Sequence, residues 1–135
     1  MIVMKKIGIL HGELSKIIAE MAHHDTILIG DAGMPVPKGV QLVDLALVDG
    51  VPNFFQVLEA VLSELYVEEG IIDVEMGEIS PHMKEKLTKI IQDEFPIVEV
   101  PHEELKELSK DVKAVIRTGE FTPYSNIILK AGVLF

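Results

Sequence analysis

The chain has 135 residues, with 12 Lys and Arg against 22 Asp and Glu, a formal charge of -10 at pH 7. That balance repels phosphate backbones and anionic bilayers, so neither nucleic acid nor a membrane is an expected partner. With no cysteine, 48% hydrophobic and 25% charged residues, disulfide and thiolate chemistry are excluded and one globular domain over 1–135 is expected rather than disorder.

Aromatic residues make up 5% of the sequence and Trp is absent, which argues against a stacking platform for bases or long glycans. Residues 1–10 are too short for a signal-peptide core and are interrupted by Lys5 and Lys6. No later apolar run approaches the ~18 residues of a membrane span, so a cytoplasmic location is expected.

Leu14, Ile17, Ile18 and Met21 follow the i, i+3, i+4, i+7 spacing of one helix face, which predicts a helix over 12–22. The short β-branched run 26–29, closed by Gly30-Asp-Ala-Gly33, reads as a buried strand ending in a turn with Asp31 at its carboxyl end. Pro35 and Pro37 make 34–39 a loop before a second strand at 40–47. Phe54, Phe55, Leu58, Val61, Leu62 and Leu65 predict a second helix, entered at Pro52. A strand at 70–76 follows, and Ser80-Pro81 reads as an N-cap with proline at N1 opening a helix through Ile91. Residues 97–100 form a strand, and Pro101 with Glu103 and Glu104 begins another helix, where negative charge complements the helix dipole. Strands at 113–117 and 127–135 complete the chain.

Helices alternating with short apolar strands indicate an α/β fold, a three-layer α/β/α arrangement around a mainly parallel mixed sheet in a single domain. The last two strands are too close for a helical crossover, so one is expected to run antiparallel to its neighbour. Ligands in such sheets bind beyond the carboxyl ends of the strands, which singles out Asp31 and the loop 118–126.

Among the polar segments, 21–26 carries His23 and His24. An unperturbed imidazole with a pKa near ~6.5 both gives and accepts protons at neutral pH; the competing reading is a surface histidine near a helix C-terminus. A metal site built on His23, His24 and Asp25 is set aside, because adjacent helix positions project about 100° apart. Asp31 reads either as an Asx-turn residue or as a group that orients a histidine or holds a hydroxyl. His102 is either exposed in a first helical turn or a ligand contact. Tyr124 and Asn126 offer hydrogen bonds near a β-rich segment, and Arg117 with Glu120 reads as an ion pair. Gly119 is not part of a P-loop, since the Gly-Lys-Ser/Thr ending is absent.

Taken together, these segments resemble the D-ribose pyranase family almost end to end. The resemblance rests on Leu14-Ser15, His23 followed by Asp25-Thr26, Gly30-Asp-Ala-Gly33 with Pro35 and Pro37, Asp44-Leu-Ala-Leu47, Val51-Pro52, His102-Glu103, Ala114-Val-Ile-Arg-Thr-Gly-Glu120, Pro123-Tyr-Ser-Asn-Ile-Ile-Leu129 and Ala131-Gly-Val133. It implies His23 as the catalytic proton donor, with sugar contacts from Asp31, His102, Tyr124, Ser125 and Asn126. It also implies ring opening and reclosure of D-ribose between pyranose and furanose without metal or cofactor, a homodecamer of two pentamers with sugar bound between subunits, and metabolic coupling to ribokinase. The chain departs from the family pattern at His11, Ala22, His24 and Ser125. A related branch acts on fucose; Gly33 and the Asp44-Leu-Ala-Leu47 run look more like the ribose branch. Fucose mutarotation is the alternative within this chemistry, and a noncatalytic sugar-binding regulator the alternative outside it.

Overall fold

The computed structural model describes residues 4–135; residues 1–3 of the N-terminal stretch lie outside the described residues. The elements are α1 (Gly12–Ala19), β1 (Thr26–Gly30), β2 (Gln41–Asp44), α2 (Phe54–Leu62), β3 (Val67–Asp73), α3 (Val74–Ile79), α4 (Pro81–Ile91), β4 (Ile97–Val100), α5 (His102–Leu108), a 3-10 turn (Ser109–Asp111), β5 (Ala114–Arg117) and β6 (Ile127–Ala131). No helix among the described residues is long and apolar enough to cross a membrane.

The strands form one six-stranded sheet in the order β2-β5-β1-β6-β3-β4. The β1–β5, β2–β5 and β3–β4 pairs are parallel, while β6 runs antiparallel to both β1 and β3. The antiparallel strand expected near the C-terminus is therefore β6, although β1 separates it from β5. Strands β1 and β5 read as unbroken apolar runs because both of their faces are covered: Ile27, Leu28, Ile29, Val115 and Ile116 have no exposed surface. One face packs against α1, α2 and α4 through Leu14, Ile17, Phe54, Leu58, Leu87 and Ile91. The other face, carrying Leu28, Val115 and Ile128, is covered more thinly by Met34, Leu105 and Val112. The three-layer α/β/α reading holds, with unequal layers.

Several details differ from the sequence reading: α1 ends at Ala19 rather than at 22, and β6 ends at Ala131 rather than running to 135. The strand expected at 70–76 occupies Val67–Asp73, and α3 takes its last residues into a helix with Met76 buried. Pairing with β4 ends at Asp73 opposite Val100, so nothing holds the chain extended beyond that point. β2 stops at Asp44, after which 47–51 folds on itself, with the Leu47 N–H donating to the Val51 carbonyl at 2.9 Å. Ser80 precedes α4 but makes no side-chain cap; its hydroxyl donates to the Pro123 carbonyl at 3.4 Å. A reciprocal cap occurs at α2 instead, where Asn53 accepts from Gln56 N–H and Gln56 accepts from Asn53 N–H, both at 2.8 Å.

Candidate functional site

The carboxyl ends of β1, β3, β4 and β5 and the amino end of β6 share one edge of the sheet, because β6 is reversed. A cleft of about 540 Å³ opens there, lined among others by Asp31, Gly33, His102, Arg117, Glu120 and Tyr124. Its size suits a small molecule, and its lining brings several polar side chains together. The Asx-turn reading of Asp31 is correct: its Oδ1 accepts the Gly33 N–H at 2.9 Å, while its own N–H donates to Asn126 Oδ1 at 3.1 Å. Gly30 is required by packing, since a Cβ there would lie 2.9 Å from the Met34 Cβ and 3.1 Å from Asn126 Oδ1. Burial pushes the Asp31 carboxyl above its ordinary value, against the opposing effects of the Gly33 N–H and His102.

Beneath the cleft lies a side chain that the sequence reading did not single out. Asp73, the last residue of β3, is fully buried. Its Oδ2 lies 2.8 Å from His102 Nδ1 and accepts from Asn126 Nδ2 at 3.0 Å, while its Oδ1 has no hydrogen-bond partner among the described residues. Burial pushes this carboxyl up as well, opposed by the bonds from Asn126 and His102. Glu75 accepts the His102 backbone N–H at 3.0 and 3.2 Å, fixing the start of α5. The His102 ring meets Tyr124 edge to face, with centroids 5.1 Å apart. Tyr124 itself has φ 61, a left-handed conformation uncommon outside glycine and often concentrated at binding sites.

Ser125 and Asn126 are also fully buried. The Ser125 hydroxyl donates to the Thr122 carbonyl at 2.9 Å, and the Asn126 amide bridges Asp31 and Asp73. The expected pairing of Arg117 with Glu120 is replaced: Arg117 binds Asp44 at 3.0 Å and the Ala32 carbonyl at 2.9 Å. Glu120 instead accepts from the Phe54 N–H at 3.2 Å and from the Thr122 hydroxyl at 2.8 Å.

His23 lies elsewhere. It precedes Thr26 at the amino end of β1, whereas Asp31 follows Gly30 at the other end. At ~3.3 Å per residue the strand alone separates the two by more than about 13 Å. The chain leaves the helix at Ala19 and turns, with Ala22 N–H donating to Asp25 Oδ2 at 2.8 Å and His24 at φ 75. The helical projection expected for the two histidines therefore does not apply: their rings sit 3.8 Å apart, and each Nε2 lies 3.2 Å from a different oxygen of Glu68. Their ligand atoms and that of Glu68 lie within 4.8 Å of one another. Within one chain, then, Asp31, His102, Tyr124, Ser125 and Asn126 come together and His23 stands apart from them.

Residues 4–134 match the sequence profile of the family described as the RbsD / FucU transport protein family. The chain belongs to this family. Among RbsD/FucU relatives, it is 53% identical over 132 residues to a D-ribose pyranase of Coprothermobacter proteolyticus, covering 98% of this chain and all of the relative. A D-ribose pyranase of Thermotoga maritima is 49% identical over 135 residues with the same coverage. The structure of Bacillus subtilis RbsD complexed with D-ribose superposes with a TM-score of 0.93 at 48% identity, covering 98% of this chain and all of that one. A fucose mutarotase from Streptococcus pneumoniae in complex with L-fucose is more distant, with a TM-score of 0.75 at 25% identity over 93% of this chain and 94% of that one.

Proposed function

We propose that this chain is a D-ribose pyranase, an isomerase that interconverts the pyranose and furanose forms of D-ribose. The observation that carries this reading is end-to-end similarity at about half identity to D-ribose pyranases, together with a carboxyl-edge cleft that holds the hydroxyl-binding residue types. The ribose relative is both closer in fold and nearly twice as identical as the fucose mutarotase. Ring opening breaks the C1–O5 bond while the ring oxygen gains a proton and the anomeric hydroxyl loses one. Attack of the C4 hydroxyl on the aldehyde then gives furanose. These are proton transfers, so the reaction needs no metal or cofactor. Positioned acid/base catalysis commonly contributes ~10²–10⁴-fold, about 3–5 kcal/mol, a scale suited to a reaction that already proceeds in water.

His23 acts as the proton donor, with Glu68 holding its ring. Asp31, His102 and Tyr124 grip hydroxyls directly from the cleft walls. Ser125 and Asn126 support them from beneath, Asn126 by fixing Asp31 to Asp73. Because His23 is at the far edge of its own sheet, the complete site is shared: His23 of one copy meets the cleft of a neighbour in a homodecamer of two pentamers. Exposed apolar residues beside the cleft, Leu47, Val48, Val51 and Phe121, at 76%, 60%, 47% and 64% exposure, supply a surface suited to that contact. The enzyme works in the cytoplasm, furnishing furanose to ribokinase by metabolic rather than physical coupling.

NMR exchange spectroscopy on ribose tests the activity: cross-peaks between pyranose and furanose should build up faster with protein, whereas a sugar-binding regulator would perturb the signals without accelerating exchange. Co-refolding inactive His23→Ala chains with inactive His102→Ala chains tests the shared site. Mixed oligomers should recover part of the exchange, and a fully active monomer at high dilution would refute the sharing.

A further inference from the structure

The proposed reaction needs two proton-transfer groups, because one oxygen gains a proton as another loses one. His23 supplies the donor, which leaves the group that takes the anomeric proton unassigned. The cleft contains a residue built for it. His102 is partly buried, with 20% of its side chain exposed, and its Nδ1 lies 2.8 Å from Oδ2 of the fully buried Asp73. An ionised carboxylate only accepts hydrogen bonds. The same oxygen already accepts the Asn126 amide at 3.0 Å, and that amide's own oxygen is held by the Asp31 N–H at 3.1 Å. With Asp73 ionised, the remaining bond at Oδ2 is satisfied by a proton on His102 Nδ1. A neutral imidazole protonated at Nδ1 carries its lone pair on Nε2, at the opposite side of the ring from Asp73.

We infer that His102 is a second catalytic residue, the base that receives the anomeric proton on Nε2, and that Asp73 is the positioning residue that fixes its tautomer and orientation. This rests on the isomerase reading above. During opening, the O1–H proton passes to Nε2, the O1–H electron pair becomes part of the C1 carbonyl, and the C1–O5 pair leaves on O5, which takes a proton from the His23 imidazolium. During closure, O4 attacks C1, the carbonyl oxygen recovers the proton from His102, and His23 takes the O4 proton. Both histidines return to their starting states, so no co-reactant is consumed. Tyr124, packed edge to face on the ring at 5.1 Å, restrains it from the cleft side.

The decisive readout is independent of turnover. In protein labelled with ¹⁵N-histidine, the His102 ring of the unaltered chain should show a protonated Nδ1 and a bare Nε2. Asp73→Ala should lose that tautomer and lower kcat on the order of 10–100-fold, the scale of losing a partner that orients a functional histidine, with little change in KM. Asp73→Asn should restore much of both, since its amide oxygen can take the place of Oδ2. A purely structural role for Asp73 would instead move the melting temperature of both variants and leave kcat per folded chain unchanged. Protonation at Nε2 in the unaltered chain overturns the proposal, and that measurement decides it even if Asp73→Ala does not fold. Failure of the protein to accelerate ribose exchange at all would defeat the isomerase reading, while the tautomer would still report whether Asp73 positions His102.

Discussion

The two edges of the sheet solve opposite problems with the same residue types. At the carboxyl edge, Asp73 and Asn126 are fully buried and tied to Asp31 and His102, with Asp73 Oδ1 unpaired among the described residues. At the amino edge, His23 and His24 face a single carboxylate with side chains 45% and 62% exposed. Buried polar groups hold one geometry because any unpaired partner costs ~1–3 kcal/mol, whereas exposed ones can exchange partners for water at little cost. The first edge is suited to gripping a sugar in one pose. The second can release its histidine from Glu68 and present it to another surface. Burial alone thus separates a fixed edge from an adaptable one, and the roles of cradle and proton carrier are those proposed above.

The most severe way to break this division is to remove the carrier. His23→Ala should abolish most ring exchange, on the order of 10²-fold or more, while the thermal melt stays close to that of the unaltered chain because little packing is lost. His24→Ala should do far less. Full exchange in His23→Ala with loss in His24→Ala would exchange their roles, and NMR exchange rates with circular-dichroism melts decide the matter.

A smaller effect separates the edges by pH. Burial raises the Asp31 and Asp73 carboxyls above 3.8, so the folded chain holds these protons more tightly than the unfolded one. They therefore contribute stability that is present at low pH and declines as pH rises from about 3.8 through their raised folded values. Asp31→Asn should flatten that part of the decline. Urea midpoints measured across the acid range check it; a steeper fall than in the unaltered chain would contradict the assignment. The smallest expected effect is that of chelation. Exhaustive treatment with EDTA should leave the exchange rate unchanged, and a loss restored by one metal would transfer the chemistry to the ligand cluster at His23, His24 and Glu68.

The sequence made the frame readable where signals were long or redundant. The stripe from Phe54 to Leu62 and the Pro81–Ile91 helix needed only periodicity, and Gly30-Asp-Ala-Gly33 announced both a strand end and its Asx turn. It was opaque where conformation depends on neighbours. α3 spans six residues, too few to show a helical period, and it follows an apolar strand without a break. Reading that strand through Met76 placed Asp73 inside it and hid the residue beneath His102; locating the strand end by the rule that singled out Asp31 would have exposed it. The positive φ of His24 and Tyr124 has no glycine to signal it. The Asn53–Gln56 cap, by contrast, is legible as an N-x-x-Q pattern before an apolar run, a stronger start signal than Pro52.

The position of β6 has a consequence for the order in which the protein can assemble. The strands β2, β5 and β1 form one group and β3 with β4 another, and among the described residues the two groups are hydrogen-bonded into one sheet only through Ile127–Ala131. During synthesis the first four strands emerge before either β5 or β6. At that stage β1 and β2 lack the strand between them, and β1 and β3 lack theirs. Loop closure over such sequence separations is paid before the pairing rewards it, so the nascent chain carries unpaired edges until its last strand is inserted. A truncation just before Ile127 would thus divide the sheet at its middle rather than trim its border.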